Sequence, residues 1–162
     1  MVAVGLEYNY FRMSGPLSTA LETALKGASA LTGATVSGDD VTVAGSSVPT
    51  VDIGAFVYND NFNTTVGNQR VDGVTDTAQK FEQLKQQAVV TFTALVDYTV
   101  GSTYDLFLKD KTGVRLLTVE TDTGRKYTQL VIIDQANRAN TQDGEMTVAV
   151  TIANAGPQPV WE

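Results

Sequence analysis

Between Val90 and Val100 every second residue is apolar: Val90, Phe92, Ala94, Val96, Tyr98 and Val100. A period of two puts these side chains on one face of a strand, and no helix can gather them on one side. The same alternation returns in Met146, Val148, Val150 and Ile152. Between the two lie "YDLFL" and "VRLLTVE", which flank "KDKTG", and "TDTG" then separates the second run from "RKYTQLVII". Apolar runs punctuated by Gly-containing turns read as hairpins. The chain must therefore build an antiparallel sheet, with a strand expected at about 89–100, a hairpin over about 115–133 and a last strand from about 145.

The N-terminal half is mixed. Val2, Val4, Leu6, Tyr8 and Tyr10 alternate and predict a strand at about 2–12. Leu17, Leu21, Ala24, Leu25, Ala28 and Leu31 then fall at helical spacing, which predicts a helix over about 16–32 with Gly33 as its stop. Short strands broken at Gly38-Asp39-Asp40 and Gly45-Ser46-Ser47 should follow. The stretch from Tyr58 to Asp76 is rich in Asn and Gly, lacks a period, and reads as a long loop, of the kind that usually carries function. Ala78, Phe81, Leu84, Lys85 and Ala88 predict a second helix at about 76–88. "DQANRANTQDG" reads as a polar connection, and residues 155–162, with two prolines and the only Trp, as an extended tail. The expected architecture is one domain over residues 1–162. It is α+β and mostly β, an antiparallel β-sandwich or barrel with one or two flanking helices.

Composition narrows the function. The formal net charge is -7, and there is no clustered run of Lys or Arg, which disfavours a phosphate-binding surface and an anionic membrane. No His and no Cys occur, so the commonest general base, the commonest zinc ligand, disulfides and thiol catalysis are all removed. No signal peptide is visible at the start, and no run reaches the roughly 20 apolar residues of a membrane span. Synthesis and retention in a cytoplasm are expected.

Several strings tempt a chemical reading. "DKTG" at Asp110–Gly113 resembles the phosphorylated-aspartate motif of P-type ATPases, but Val114 stands where that motif needs Thr, and good turn formers explain the string. Asp134 to Glu145 has the length of a calcium loop, yet Arg138 and Ala139 fall where an oxygen ligand and Gly are required. Asn59–Asn63 offers oxygens for at most a weak cation. The acid pairs Asp39 with Asp40, Asp72 with Asp76, and Asp105 with Asp110 lie in or beside turns, where Asp bonds the backbone. The expectation is a protein with no enzymatic activity and no cofactor.

The stretch "GRKYTQLVIIDQANRANTQDGEMTVAVTIANAGPQPVW" resembles the end of a phage tail tube protein, the major tail protein of a virion. "VDIGAFVYNDNFNTTVGNQRVDG" resembles that family's long extended loop, and "DTAQKFEQLKQQA" the helix packed beside its barrel. The resemblance implies a virion structural protein in the tail, made in the host cytoplasm. It would join copies of itself into hexameric rings, stack these into a tube, and contact other tail proteins. DNA would pass through the channel without specific binding, past an acidic lumen that repels phosphate. A capsid decoration protein or a neck or tail-completion subunit is the alternative, and a small enzyme or ligand-binding barrel a more distant one. The expected interface residues are Tyr58, Asn61, Phe62, Asn63, Val66 and Arg70 in the loop, with Pro157, Pro159 and Trp161 in the tail. The last strand and the Pro-stiffened tail are expected to dock on a neighbour, with Trp161 as the anchor.

Overall fold

The computed structural model describes residues 8–70, 81–140 and 144–162. The expected strand at 2–12 appears as β1 (Tyr8–Met13), its first residues lying outside the described range. Helix α1 (Thr19–Lys26) is shorter than its periodicity suggested. Ser18 caps it by accepting the Leu21 N–H, and Gly27 ends it by donating its N–H to the Thr23 carbonyl at 3.1 Å. Then come β2 (Thr35–Ser37), β3 (Asp40–Val43), β4 (Ser46–Pro49) and β5 (Val51–Asp52). Two long strands follow, β6 (Val57–Arg70) and β7 (Phe81–Leu95). A π-helical segment (Tyr104–Lys109) leads into β8 (Arg115–Thr121), β9 (Lys126–Asn140) and β10 (Met146–Asn154).

Seven strands form one antiparallel sheet in the order β5-β1-β8-β9-β10-β7-β6, and β2-β3-β4 form a second, small sheet. The large sheet curls into a half-barrel, so the fold is α+β and mostly β as the alternation required. Its curl brings residues near the two outer strands together. Tyr8 on β1 donates its hydroxyl to Asp60 on β6, and the Phe11 and Phe62 rings lie 6.4 Å apart. Phe11, Phe92, Phe107, Val119, Tyr127, Val150 and Ile152 fill the concave side. Phe107 and Leu106 of the π-helical segment enter that core. Phe92 meets Phe11 at 5.3 Å and Phe107 at 5.5 Å, both edge-on, the arrangement ring quadrupoles favour.

A second core lies on the convex side. Leu25 of α1 and Val41, Val43 and Val48 of the small sheet cover Leu116 and Leu130 there. This explains why β8 and the first half of β9 are buried almost continuously, rather than at every second residue. Ile132 also points to the convex side but lies past that cover, and is 43% exposed.

Five expectations are corrected. The strand expected at 89–100 stops at Leu95, and Thr99 to Gly101 form a turn. The long loop at 58–76 is a strand as far as Arg70, with bulges near Tyr58–Asn61 and Val66–Asn68. The helix at 76–88 is a strand from Phe81 onward, since pairing with β6 (Asn63↔Val89 through Arg70↔Phe81) overrides the helical spacing. Residues 71–80 lie outside the described range. "YDLFL" is π-helical rather than extended, because Arg115 holds the segment's Leu106 carbonyl and the Asp110 carbonyl that follows it. "DQANRAN" is not a connection but the second half of β9, paired with β10 from Gln135↔Thr151 to Asn140↔Met146.

Candidate functional site

The described residues hold no group of three or more acidic, His or Cys side chains placed to bind a metal. No helix among them is long and apolar enough to cross a membrane. Of the acids singled out in the sequence, Asp105 and Asp110 serve the backbone, while the Asp39 carboxylate lies 3.7 Å from Arg12. Asp110 accepts the Thr112 N–H at 2.9 Å and its hydroxyl at 2.7 Å, which keeps its carboxyl below the usual range. Asp97 holds Thr99 in the same way, at 2.9 and 2.8 Å, with the same effect. Asp105 accepts the Gly101 N–H at 2.7 Å. Asp72 and Asp76 lie outside the described residues.

Arg115 is fully buried yet serves packing rather than chemistry. Its guanidinium donates to the carbonyls of Leu106 and Asp110, and to that of Thr112 at 3.4 Å. Burial lowers its pKa, partly countered by Asp110. Burial also pushes the Tyr127 phenol well above its ordinary value. The Tyr127 hydroxyl donates to Gln129 Oε1 at 2.8 Å, and Gln129 Nε2 donates to the Ala88 carbonyl at 3.2 Å. Gln129 thereby bonds a β7 carbonyl just past the last β10–β7 pair, Ala153↔Val89.

Among the described residues, what remains unpartnered is strand edge. There β6 pairs only with β7, and no further described strand lies on the far side of its 14 residues. Tyr58, Asn61, Phe62 and Asn63 lie on this strand, together with Val66 and Arg70 by their register opposite Gln86 and Phe81. Asn61 and Asn63 are exposed, while Tyr58 and Phe62 are half-buried. Beyond Val89↔Asn63 the β6–β7 pair runs past the end of β10 as a two-stranded arm.

β9 has the second edge. β8 pairs with it only as far as Val131↔Arg115, so among the described residues no strand lies on that side of Ile132 to Asn140, although the π-helical segment packs near buried Ala136. Lys111 Nζ donates to the Ala136 carbonyl there, at 3.0 Å. Sequence reasoning missed this edge because Asp134–Asn140 is polar throughout, apart from two alanines.

The tail residues are not free. Ala155 donates its N–H to the Leu130 carbonyl at 2.8 Å, and the chain then bulges through Gly156 and Pro157. Gly156 is required there, since a Cβ would come within 2.7 Å of Leu130 Cδ1. Pro159 is buried, and Trp161 rejoins β9 in an antiparallel bridge to Tyr127. The Trp161 ring lies 5.2 Å from Phe62 and 4.9 Å from Tyr127. The structure thus joins the predicted loop and tail residues within one chain, at the Phe62–Trp161 contact, where Trp161 clasps its own sheet while keeping 36% of its surface exposed.

No family model matches the sequence, and no curated protein does either. Among solved structures, the chain is similar to one from the tail of an empty gene transfer agent particle, computed with helical refinement and C6 symmetry. The two share 14% identity over 70% of this chain and 87% of that one, with a TM-score of 0.53. It is similar as well to a chain from the virion of a native gene transfer agent particle, at 15% identity over 70% and 88%, again with a TM-score of 0.53. The curled, open-edged half-barrel described above is thus a fold shared with chains of gene transfer agent particles, one of them from the tail.

Proposed function

We propose that this chain is a phage-type virion structural protein, the subunit of a tail tube. Copies of it pair edge to edge into rings, and the rings stack around a channel. The observation that carries this reading is the pair of long edges, β6 and the second half of β9, that carry no further strand among the described residues, in a fold shared with a chain from a C6-symmetric tail. Monomeric sheet proteins blunt their edges with Pro, Lys or short strands. β6 has neither Pro nor Lys in 14 residues, and β9 has neither from Tyr127 onward, Lys111 reaching its edge from outside the strand at the Ala136 carbonyl alone. Joining β6 of one copy to β9 of the next uses two different patches, and such a contact closes into a ring when its rotation permits.

In this reading the protein has no catalytic step. It is made in the host cytoplasm, resides in the virion tail and meets other tail proteins at the tube ends. The -7 net charge suits a channel that DNA slides through without specific binding. Negative-stain microscopy of the purified protein tests the reading. Six-fold rings or tubes support it, trimers move it to a capsid decoration role, and featureless monomers at high concentration overturn it.

A further inference from the structure

The two ends of the long strands carry features that fit each other. At the end where β7 stops and β10 begins, the turn Thr99-Val100-Gly101 holds Val100 at 92% exposure. This turn is stiff. Asp97 binds the Thr99 N–H and hydroxyl, Ser102 donates its N–H to the Thr99 carbonyl at 3.0 Å, and Asp105 binds the Gly101 N–H. Gly101 sits at φ +83, a left-handed geometry that side chains resist. Tyr98, 57% exposed, flanks the turn with its ring 4.8 Å from that of Tyr104.

The opposite end has a shallow notch of about 320 Å³, lined by Thr121, Thr123, Arg125 and Trp161. The Arg125 guanidinium donates through Nε to the Glu162 carbonyl at 3.3 Å and makes no ion pair among the described residues. The 15 residues of β9 separate the two ends, about 50 Å at ~3.3 Å per residue.

We infer that the Val100 turn of one copy seats in the Trp161 notch of another, with Asp97 facing Arg125, as the head-to-tail contact between copies. This rests on the tube reading and names residues for its axial contact. A second copy is the occupant because knob and notch lie at opposite ends of the same sheet. A contact of that kind is heterologous and repeats without saturating, as a stacked assembly requires. The charges also match, a fixed carboxylate beside the knob and a cation in the notch.

The chain has no Cys, so cross-linking has no background. Val100→Cys and Thr123→Cys replace exposed side chains. Mixed and mildly oxidised, the two single variants should give a covalent dimer that neither gives alone. The double variant should give a ladder of multimers. Val100→Asp should form rings that no longer stack. No cross-link in the mixture, dimers of equal yield from Val100→Cys alone, or normal tubes from Val100→Asp would each overturn the inference. Rings lacking this cross-link would leave the edge-paired subunit reading standing, whereas a cross-linked filament without rings would overturn that reading and keep this contact.

Discussion

Trp161 forms an antiparallel bridge with Tyr127, their rings 4.9 Å apart, so the last residues of the chain lie back along the strand from which the sheet is built. Phe62 completes the cluster from β6, 4.9 Å from Tyr127. The tail therefore ties the base of the β6–β7 arm to β9, and its removal should be felt by the monomer.

Truncation after Asn154, or Trp161→Ala, should lower monomer stability. A fully buried aromatic lost to Ala costs about 3–5 kcal/mol, and Trp161 is 36% exposed, so about 1–3 kcal/mol is expected. Gly156→Ala should act in the same direction, because its new methyl meets Leu130. Urea midpoints of the three variants measure this. Midpoints equal to wild type would mean the clasp contributes nothing.

Arg115 should resist even conservative change. Its planar fork reaches three carbonyls at once, and an ammonium cannot reproduce that. Arg115→Ala leaves buried carbonyls without donors and should cost on the order of 3 kcal/mol. Arg115→Lys should recover only part of the loss. Thermal melts of both variants decide, and a Lys variant as stable as wild type contradicts the carbonyl-binding role.

Stability should fall at both ends of the pH scale. The Asp97 and Asp110 carboxyls are held below their ordinary value of 3.8, so their contribution is present above that pH and is lost as pH falls through the folded values. The Tyr127 phenol is raised above 10.0, so unfolded chains ionise first and stability declines as pH rises past about 10. Thr112→Val keeps the N–H bond and removes the hydroxyl, so it should bring the Asp110 carboxyl part of the way back toward 3.8 in an NMR titration. Tyr127→Phe should flatten the alkaline decline. An unshifted Asp110 in Thr112→Val rules out the hydroxyl's share of the effect, and an unchanged alkaline limb in Tyr127→Phe rules out the phenol's.

Charges placed on the β6 edge should separate assembly from folding. Asn61 and Asn63 are exposed, so Asn61→Lys with Asn63→Lys should change monomer stability by no more than about 0.5 kcal/mol per site. Lysines on an edge oppose strand addition, and ring formation should be lost. Sedimentation and chemical denaturation of the same sample check both halves, and unimpaired rings would clear β6 of any part in the interface.

The legible parts of this fold were those where apolar residues and turn formers agree. Leu117 and Val119 on one face and the "TDTG" turn announced the β8–β9 hairpin, and Leu21 and Leu25 announced α1. The arm was hidden for two reasons. β6 is an edge strand rich in Asn, and with none of Tyr58 to Thr64 fully buried it had no period to show. Phe81, Leu84 and Ala88 fall at helical spacing among Glu, Gln and Lys, good helix formers whose preference is overridden by partner β6. The site was half legible. The loop and tail residues were singled out, but their meeting at Phe62 and Trp161 depends on a bridge that no local pattern encodes. The β9 edge was missed because its residues read as a polar connection.

Cryo-electron microscopy of the assembled protein tests the central claim most directly. The account predicts a ring in which the β6 edge of each copy, around Asn61 and Asn63, is hydrogen-bonded to β9 of the next between Ile132 and Asn140, giving one sheet that runs unbroken around a channel. An assembly in which both edges face solvent, or a protein that stays monomeric at high concentration, would contradict it.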